Sequence, residues 1–206
     1  ARVAIVGMGG LGCPAATSLV AAGVGTLNII DGDNVDLSNL HRQHLYQPGD
    51  VGKKKVIVAK KSLENISSQT KIITFDCFLN QSNSKPCFEN IDIIIDATDN
   101  ISSRKIIDKV SKVENIPMIY GSLYRFEGQV GVFNVGTTIG YSELFPGNIS
   151  GGETCEEAGV VGMLPSIIGN MQALEAIKLI VNLEPNLIGR LLIYDSLQHK
   201  TEVIEL

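Results

Sequence analysis

Apolar residues come in short blocks along the first half of this chain, separated by polar stretches of differing length. Residues 2–6, RVAIV, form an apolar run that feeds directly into Gly7. LGCPAATSLVAAGV then places apolar residues at helical spacing until Gly23 and Gly25 stop it, so strand, turn and helix are predicted in that order. TLNIID at 26–31 reads as a second strand, KKVIVAKKSLENI as a second helix and KIITF at 71–75 as a third strand. IDIIIDAT at 91–98 is apolar almost throughout, as a strand covered on both faces requires, and SSRKIIDKVSKVENI follows as a helix. Strands alternating with helices predict βαβ units and a parallel sheet.

After PMIYGSL the pattern changes. GQVGVFNVG at 128–136 follows without an intervening helix, which predicts strands turning antiparallel. Residues 136–159 hold six glycines and one proline with little periodicity and are expected to form an exposed, mobile loop of the kind that often carries function. LPSIIGNMQALEAIKLIVNL reads as a long helix, and RLLIYDS and KTEVIEL close as a hairpin. The expected fold class is α/β: a Rossmann-like, doubly wound sheet, parallel in its first half and mixed with antiparallel strands in its second, in one domain over residues 1–206.

Composition narrows the function classes. The 206 residues are enough for one buried core, and 44% hydrophobic against 19% charged residues, with no block of like charge, exclude a disordered chain. A net charge of −5 argues against nucleic acid as a partner, because Lys and Arg meeting phosphates drive such binding. No apolar run nears the roughly 20 residues that span a bilayer, and no charged-then-apolar leader pattern is present, so no membrane association and a cytoplasmic location are expected. Cys13, Cys77, Cys87 and Cys155 are scattered, with no Cys-x-x-Cys pair, so neither a disulfide framework nor a zinc knuckle is expected. Cys13 and Cys77 stand in apolar company and are expected to be buried.

Gly7, Gly9 and Gly12 spell G-x-G-x-x-G between strand and helix, where glycines let the backbone approach phosphates at a helix N-terminus. Asp31 ends the next strand, where a carboxylate accepts hydrogen bonds from ribose hydroxyls. That much fits NAD and ATP equally. A dinucleotide has two bridging phosphates, largely satisfied by the turn and the helix dipole, whereas a triphosphate carries more charge. Asn39, Arg42 and Lys55 lie downstream and would reach those phosphates if the loop folds back. DATDN at 96–100 sets Asp99 beyond the fourth strand's carboxyl end, where an oxygen ligand suits magnesium. Plainer readings stand beside these: Asp99 or Asn100 as a helix cap, and GKKK as a solvated helix start.

GMGGLGC, DGDNVDLSNLHRQ, VGKKKV, DATDN, RFEGQVGVF, TCEEAGVVG and GNMQALEAIKLI, in this order from Arg2 to Leu206, resemble the ThiF/MoeB family, relatives of the ubiquitin-activating enzymes. The resemblance implies an adenylyltransferase that uses ATP and Mg2+ to activate the C-terminal Gly-Gly tail of a ubiquitin-like sulfur-carrier protein, releasing pyrophosphate, and that works as a homodimer. It implies that Gly7, Gly9, Gly10 and Gly12 form the phosphate turn, with Asp31 and Asp33 near the ribose, and that Asn39, Arg42 and Lys55 meet the phosphates. Asp99, with Asn100 beside it, would hold the metal. Gln43 is expected to support Arg42 by a hydrogen bond, and Arg104 matches a family position either as a ligand contact or as a salt bridge organising the loop.

The sequence also departs from the family pattern. An upstream arginine that reaches a partner's site has no counterpart, TTIGYSELFPG stands where a first Cys-x-x-Cys pair is expected, and the chain ends before the second pair, so no zinc is expected. Cys155 falls where some relatives form a thioester or acyl-disulfide, with Glu153, Glu156 and Glu157 around it disfavouring the thiolate. Two other functions compete: an NAD-dependent oxidoreductase or redox sensor, and a nucleotide-binding scaffold without turnover.

Overall fold

Parity of position decides which face of the sheet each strand residue serves. In β1 (Arg2–Val6), Val3 and Ile5 enter one buried apolar cluster while Ala4 and Val6 enter another. β4 (Ile93–Asp96) repeats this, with Ile93 and Ile95 on the first side and Ile94 on the second. An unbroken apolar run is what a strand needs when helices cover both of its faces.

The computed structural model describes residues 1–147 and 161–206. Between and beyond these two strands lie α1 (Gly12–Ala21), β2 (Thr26–Ile30), α2 (Lys55–Glu64), β3 (Lys71–Phe75), α3 (Ser84–Cys87), α4 (Ile101–Glu114), β5 (Met118–Tyr124), β6 (Glu127–Phe133), α5 (Tyr141–Leu144), α6 (Leu164–Ile180), β7 (Arg190–Asp195) and β8 (Lys200–Glu205). The strands form one sheet in the order β3-β2-β1-β4-β5-β6-β7-β8. β1 to β5 pair in parallel, and β6, β7 and β8 are added antiparallel, as the change of pattern after PMIYGSL predicts. Because β1 lies between β2 and β4, the chain's connections leave it in opposite directions, and a crevice opens at the carboxyl ends of these strands.

Two local departures have clear causes. The strand expected over 91–98 stops at Asp96 because its carboxylate Oδ1 accepts the Thr98 N–H at 3.0 Å and the Thr98 hydroxyl at 2.6 Å, which turns the chain. Within the segment expected to be an exposed loop, Tyr141–Leu144 is a turn of helix and Tyr141 is buried. Asp108 of α4 holds it there by accepting the N–H groups of Tyr141 and Ser142, and Asn134 Nδ2 donates to the same carboxylate at 2.9 Å. The Tyr141 ring packs against Tyr120 and Phe145.

α6 packs on α1 so closely that a Cβ at Gly169 would lie 2.3 Å from the Leu11 carbonyl oxygen. This contact fixes α1, whose first turn faces the crevice. Among the described residues, no helix is long and apolar enough to cross a membrane.

Candidate functional site

The glycines of the first turn do different jobs. Gly7 has φ +94°, a conformation that side chains resist, and a Cβ there would stand 2.5 Å from the Ala97 carbonyl oxygen of the neighbouring strand end. A Cβ on Gly12 would lie 1.9 Å from the Gly7 oxygen, and one on Gly10 would lie 2.8 Å from Pro165. Gly9 alone of the four has room, its nearest neighbour being Gln43 Nε2 at 3.6 Å. Gly12→Ala should therefore damage the fold, whereas Gly9→Ala should fold normally and bind phosphate-bearing ligands at least tenfold more weakly, a loss of about 1.4 kcal/mol or more. Thermal melts paired with nucleotide titration separate the two; equal melting and equal affinity in both variants would refute this division of roles.

Asp31 follows β2 and ties the turn to the strand end. Its Oδ2 accepts the Met8 N–H at 2.7 Å and its Oδ1 the Asp33 N–H at 2.8 Å. Burial raises its pKa from the ordinary carboxylate value, opposed chiefly by the charge of Lys55. Each oxygen keeps a lone pair for a hydroxyl in the crevice. Lys55 opens α2, 5% exposed, with Nζ 3.0 Å from Asp33 Oδ2 and its backbone N–H on the Asp33 carbonyl at 3.0 Å. The solvated helix start expected of GKKK therefore holds for exposed Lys53 and Lys54 and fails for Lys55.

The intervening loop does fold back. Asp36 caps a short helical turn over Leu37–Asn39 by accepting the Ser38 N–H, and the Asn39 carbonyl accepts the N–H groups of Arg42 and Gln43, both at 3.1 Å. That hairpin of hydrogen bonds carries Arg42 to the crevice, with Nη1 3.3 Å from His41 Nε2. The expected support of Arg42 by Gln43 is not found: Gln43 Oε1 is buried without a hydrogen-bond partner. Packing of the loop onto the turn has taken that oxygen away from solvent and from the guanidinium alike.

Asp99 is exposed between β4 and α4. The plain reading holds for Asn100, which caps α4 by accepting the Ser103 N–H at 2.9 Å, so its side chain is engaged by the helix. Arg104, one turn on, is buried. It donates from Nη2 to the carbonyls of Thr98 and Gly121 at 2.8 and 3.1 Å, and its guanidinium lies 4.9 Å from the Tyr120 ring centre. Asp96 Oδ2 is 3.5 Å from its Nε, near enough to attract as a charge and too long for a well-formed hydrogen bond. Burial works against the Arg104 charge, but Asp96 and the nearby tyrosines outweigh it and hold the pKa above its ordinary value. Arg104 thus organises the Asp99 loop, and it also borders the crevice.

These residues meet around a cleft of about 590 Å³, within the usual range for a small-molecule site. Gly7, Gly9, Gly10, Asp31, Asp33, Asn39, Arg42, Gln43, Lys55, Asp99 and Asn100 all border it, while Gly12 lies beneath, sealing helix to strand. Cys155 lies outside the described residues. Sequence reasoning missed Phe78 and Leu79, which form one wall, and Gln172, which is fully buried and donates from Nε2 to the carbonyls of Asp96 at 2.7 Å and Ile119 at 3.2 Å. A glutamine inside an otherwise apolar helix pattern is the signal that marks Gln172; Phe78 carries no periodic signal.

The profile of the ThiF family matches residues 1–206. The sulfur carrier protein adenylyltransferase of Thermus thermophilus is 38% identical over 205 residues, covering 96% of this chain and 76% of that protein. The adenylyltransferase and sulfurtransferase MOCS3 of Caenorhabditis briggsae is 41% identical over 207 residues, covering 99% of this chain and 52% of that protein, so this chain spans about half of the longer relative. Among solved structures, PaaA superposes with a TM-score of 0.84 at 30% identity, over 100% of this chain and 64% of PaaA. E. coli MccB, solved with ATP, shares the fold with a TM-score of 0.86 at 22% identity, over 100% of this chain and 63% of MccB.

Proposed function

The chain belongs to the ThiF family, and from that premise we propose that it is an ATP-dependent adenylyltransferase acting on the C-terminal glycine carboxylate of a small ubiquitin-like sulfur carrier. The observation that carries this reading is the meeting of Arg42, Lys55 and Asn39 with the glycine turn and Asp31 in one cleft. A dinucleotide's two phosphates need little beyond the turn, whereas a triphosphate gives these cations work. The names of the Thermus and Caenorhabditis relatives support the same chemistry.

The proposed reaction needs no general base. A terminal carboxylate, with pKa near 3.5, is already ionised at neutral pH and is itself the nucleophile. One of its oxygens bonds to the α-phosphorus, the bond from that phosphorus to the bridging oxygen breaks, and pyrophosphate leaves with the electron pair, giving an acyl-adenylate. Asp31 holds the ribose, the turn and the N-terminus of α1 hold phosphates, and Arg42 and Lys55 offset the repulsion between two anions and the charge on the departing group. Asp99 would hold Mg2+, which when bound neutralises phosphate oxygens. One exposed carboxylate in a phosphate cleft fits that ion, since magnesium is commonly held by one or two carboxylates together with substrate phosphates. Among the described residues no group of three or more His, Cys, Asp or Glu side chains gathers, and substrate phosphates and water would supply further ligands to such an ion.

In this proposal the carrier ends in Gly-Gly, the enzyme works as a homodimer, and Cys155 acts only after the adenylate forms, in sulfur or acyl transfer. The deciding measurement is magnesium-dependent ATP–pyrophosphate exchange with candidate carriers. Exchange is expected with a cognate carrier and lost by at least about 100-fold in Asp99→Ala, which should stay folded because Asp99 is exposed. Binding of NAD in preference to ATP would favour the oxidoreductase, ATP binding without exchange the inactive scaffold, and full exchange in a folded Asp99→Ala protein would remove Asp99 from the metal site.

A further inference from the structure

Two of the scattered cysteines come together in the fold. Cys87 ends α3, and its backbone is anchored to β2 because Asn28 Nδ2 donates to its carbonyl at 3.0 Å. Cys77 follows β3 and packs against the apolar cluster that serves the second face of the sheet, the cluster to which Cys87 belongs, and as a neighbour its thiol adds to burial in raising the Cys87 pKa. Both are free thiols. Cys87 is buried, as was expected of Cys77; Cys77 itself is only half-buried and borders the nucleotide cleft beside Phe78 and Leu79. The Phe78 ring lies over Gly32, so close that a Cβ there would stand 2.8 Å from it. One side of the thiol pair is thus fixed to the sheet, and the other belongs to a wall of the cleft.

We propose that Cys77 and Cys87 are a peroxide-responsive dithiol pair whose oxidation to a disulfide shifts the Cys77–Leu79 wall of the cleft. Cys77 reacts first because it is the more exposed of the two. Its sulfur attacks one peroxide oxygen, the O–O bond breaks, an S–O bond forms, and water leaves, giving a sulfenic acid. The Cys87 sulfur then attacks that sulfur, forming the S–S bond while the S–O bond breaks and a second water departs with the Cys87 proton. Two thiols and one hydrogen peroxide give one disulfide and two waters. Burial pushes the Cys87 thiol up to about 12, which protects it from peroxide while its neighbour is reduced. Contact with the sulfenic sulfur replaces a bimolecular encounter and restores its reactivity. Shortening a non-bonded contact to the about 2.05 Å of an S–S bond draws Cys77 toward the anchored Cys87, and Phe78 follows along the chain.

The shift of the wall bears on ATP and so rests on the nucleotide reading; the disulfide itself does not. The full chain, reduced and then treated with hydrogen peroxide, is to be alkylated after denaturation and examined by intact mass and peptide mapping. The expected product carries two fewer alkyl groups than the fully reduced protein alkylated alike and is about 2 Da lighter beyond that difference, with peptides linked through Cys77 and Cys87 and full reversal by dithiothreitol. Cys87→Ser, or Cys87→Ala should serine unfold the site, is expected to lack the link and to trap Cys77 as a dimedone-reactive sulfenic acid. Alkylation of both thiols at a peroxide dose that oxidises Cys77 in the variant would overturn the proposal, as would linkage of either cysteine to a different partner. Calorimetric titration of the oxidised protein with MgATP should show affinity about tenfold lower than in the reduced protein. A mapped disulfide with unchanged affinity would overturn the movement of the wall. Failure of the reduced protein to bind ATP would overturn the nucleotide reading, leaving the thiol pair to be decided by mass alone.

Discussion

Replacing Lys55 by alanine should lower carrier-driven ATP–pyrophosphate exchange by about 10²–10³-fold while the protein stays folded. Lys55 is the most enclosed cation on the acidic side of the cleft, 5% exposed and held between Asp33 and the start of α2. Its partner Asp33 has a side chain 51% exposed, so removing the ammonium leaves that carboxylate to water. Asp31 is affected differently. Burial already raises its pKa and Lys55 is the first influence opposing that rise, so the alanine variant should hold its proton to higher pH. Since the proposed ribose contact needs the ionised acceptor, affinity for ATP should fall on acidification in both proteins, and the fall should begin at higher pH in Lys55→Ala. Circular dichroism, exchange rates and ATP titrations across pH test all three parts. A folded alanine variant with parental exchange would remove Lys55 from the reaction.

Arg104→Met should destabilise the protein by about 3–5 kcal/mol, because Asp96 would remain buried without its cation. Asp96 is 0% exposed, and its Oδ2 has the Arg104 charge at 3.5 Å but no hydrogen bond. Burial pushes the Asp96 pKa up and Arg104 is the leading influence against this, so the variant should take up a proton or unfold more easily. For a chain of this length the melting temperature should drop by roughly 10 °C or more. Adding Asp96→Asn should recover part of the loss, since a neutral amide carries a smaller burial cost. A drop under about 2 °C, or no recovery in the double variant, would mean that the pair is not coupled. Because Arg104 also holds the Thr98 carbonyl next to Asp99, a surviving variant should need more magnesium for exchange.

What was legible in the sequence was periodic or local. The apolar run IDIIIDAT told of a strand covered on both faces, because burial on both sides demands apolar side chains at nearly every position, and the structure splits the residues of that strand and of RVAIV by parity between two clusters. The glycine turn was legible because its constraint acts between residues five apart, Gly12 against Gly7, and the Asn100 cap because it reaches only to Ser103. Asp31, Asn39, Arg42, Lys55 and Asp99 were named as candidates from motif and residue type, and the structure brings all five to one cleft.

Other features depend on which strands and loops become neighbours, and no spacing encodes that. Gln43 faces inward because the loop carrying it packs onto the glycine turn, Lys55 is buried because α2 docks its first residue against Asp33, and Tyr141 is drawn inward by Asp108 on α4. Arg104 becomes a structural cation only where Asp96, Thr98 and Gly121 converge, and Gln172 crosses from α6 to the carbonyls of Asp96 and Ile119. The cysteines illustrate the same division. Sequence alone determined their number and the lack of a Cys-x-x-Cys pair, while the return of the chain from β3 through α3 decided that Cys77 packs against the apolar cluster that holds Cys87. Local rules act through covalent geometry and side-chain periodicity, which every short segment carries with it; long-range pairings exist only after the sheet order has closed, because burial and hydrogen bonding are then set by neighbours distant in the chain.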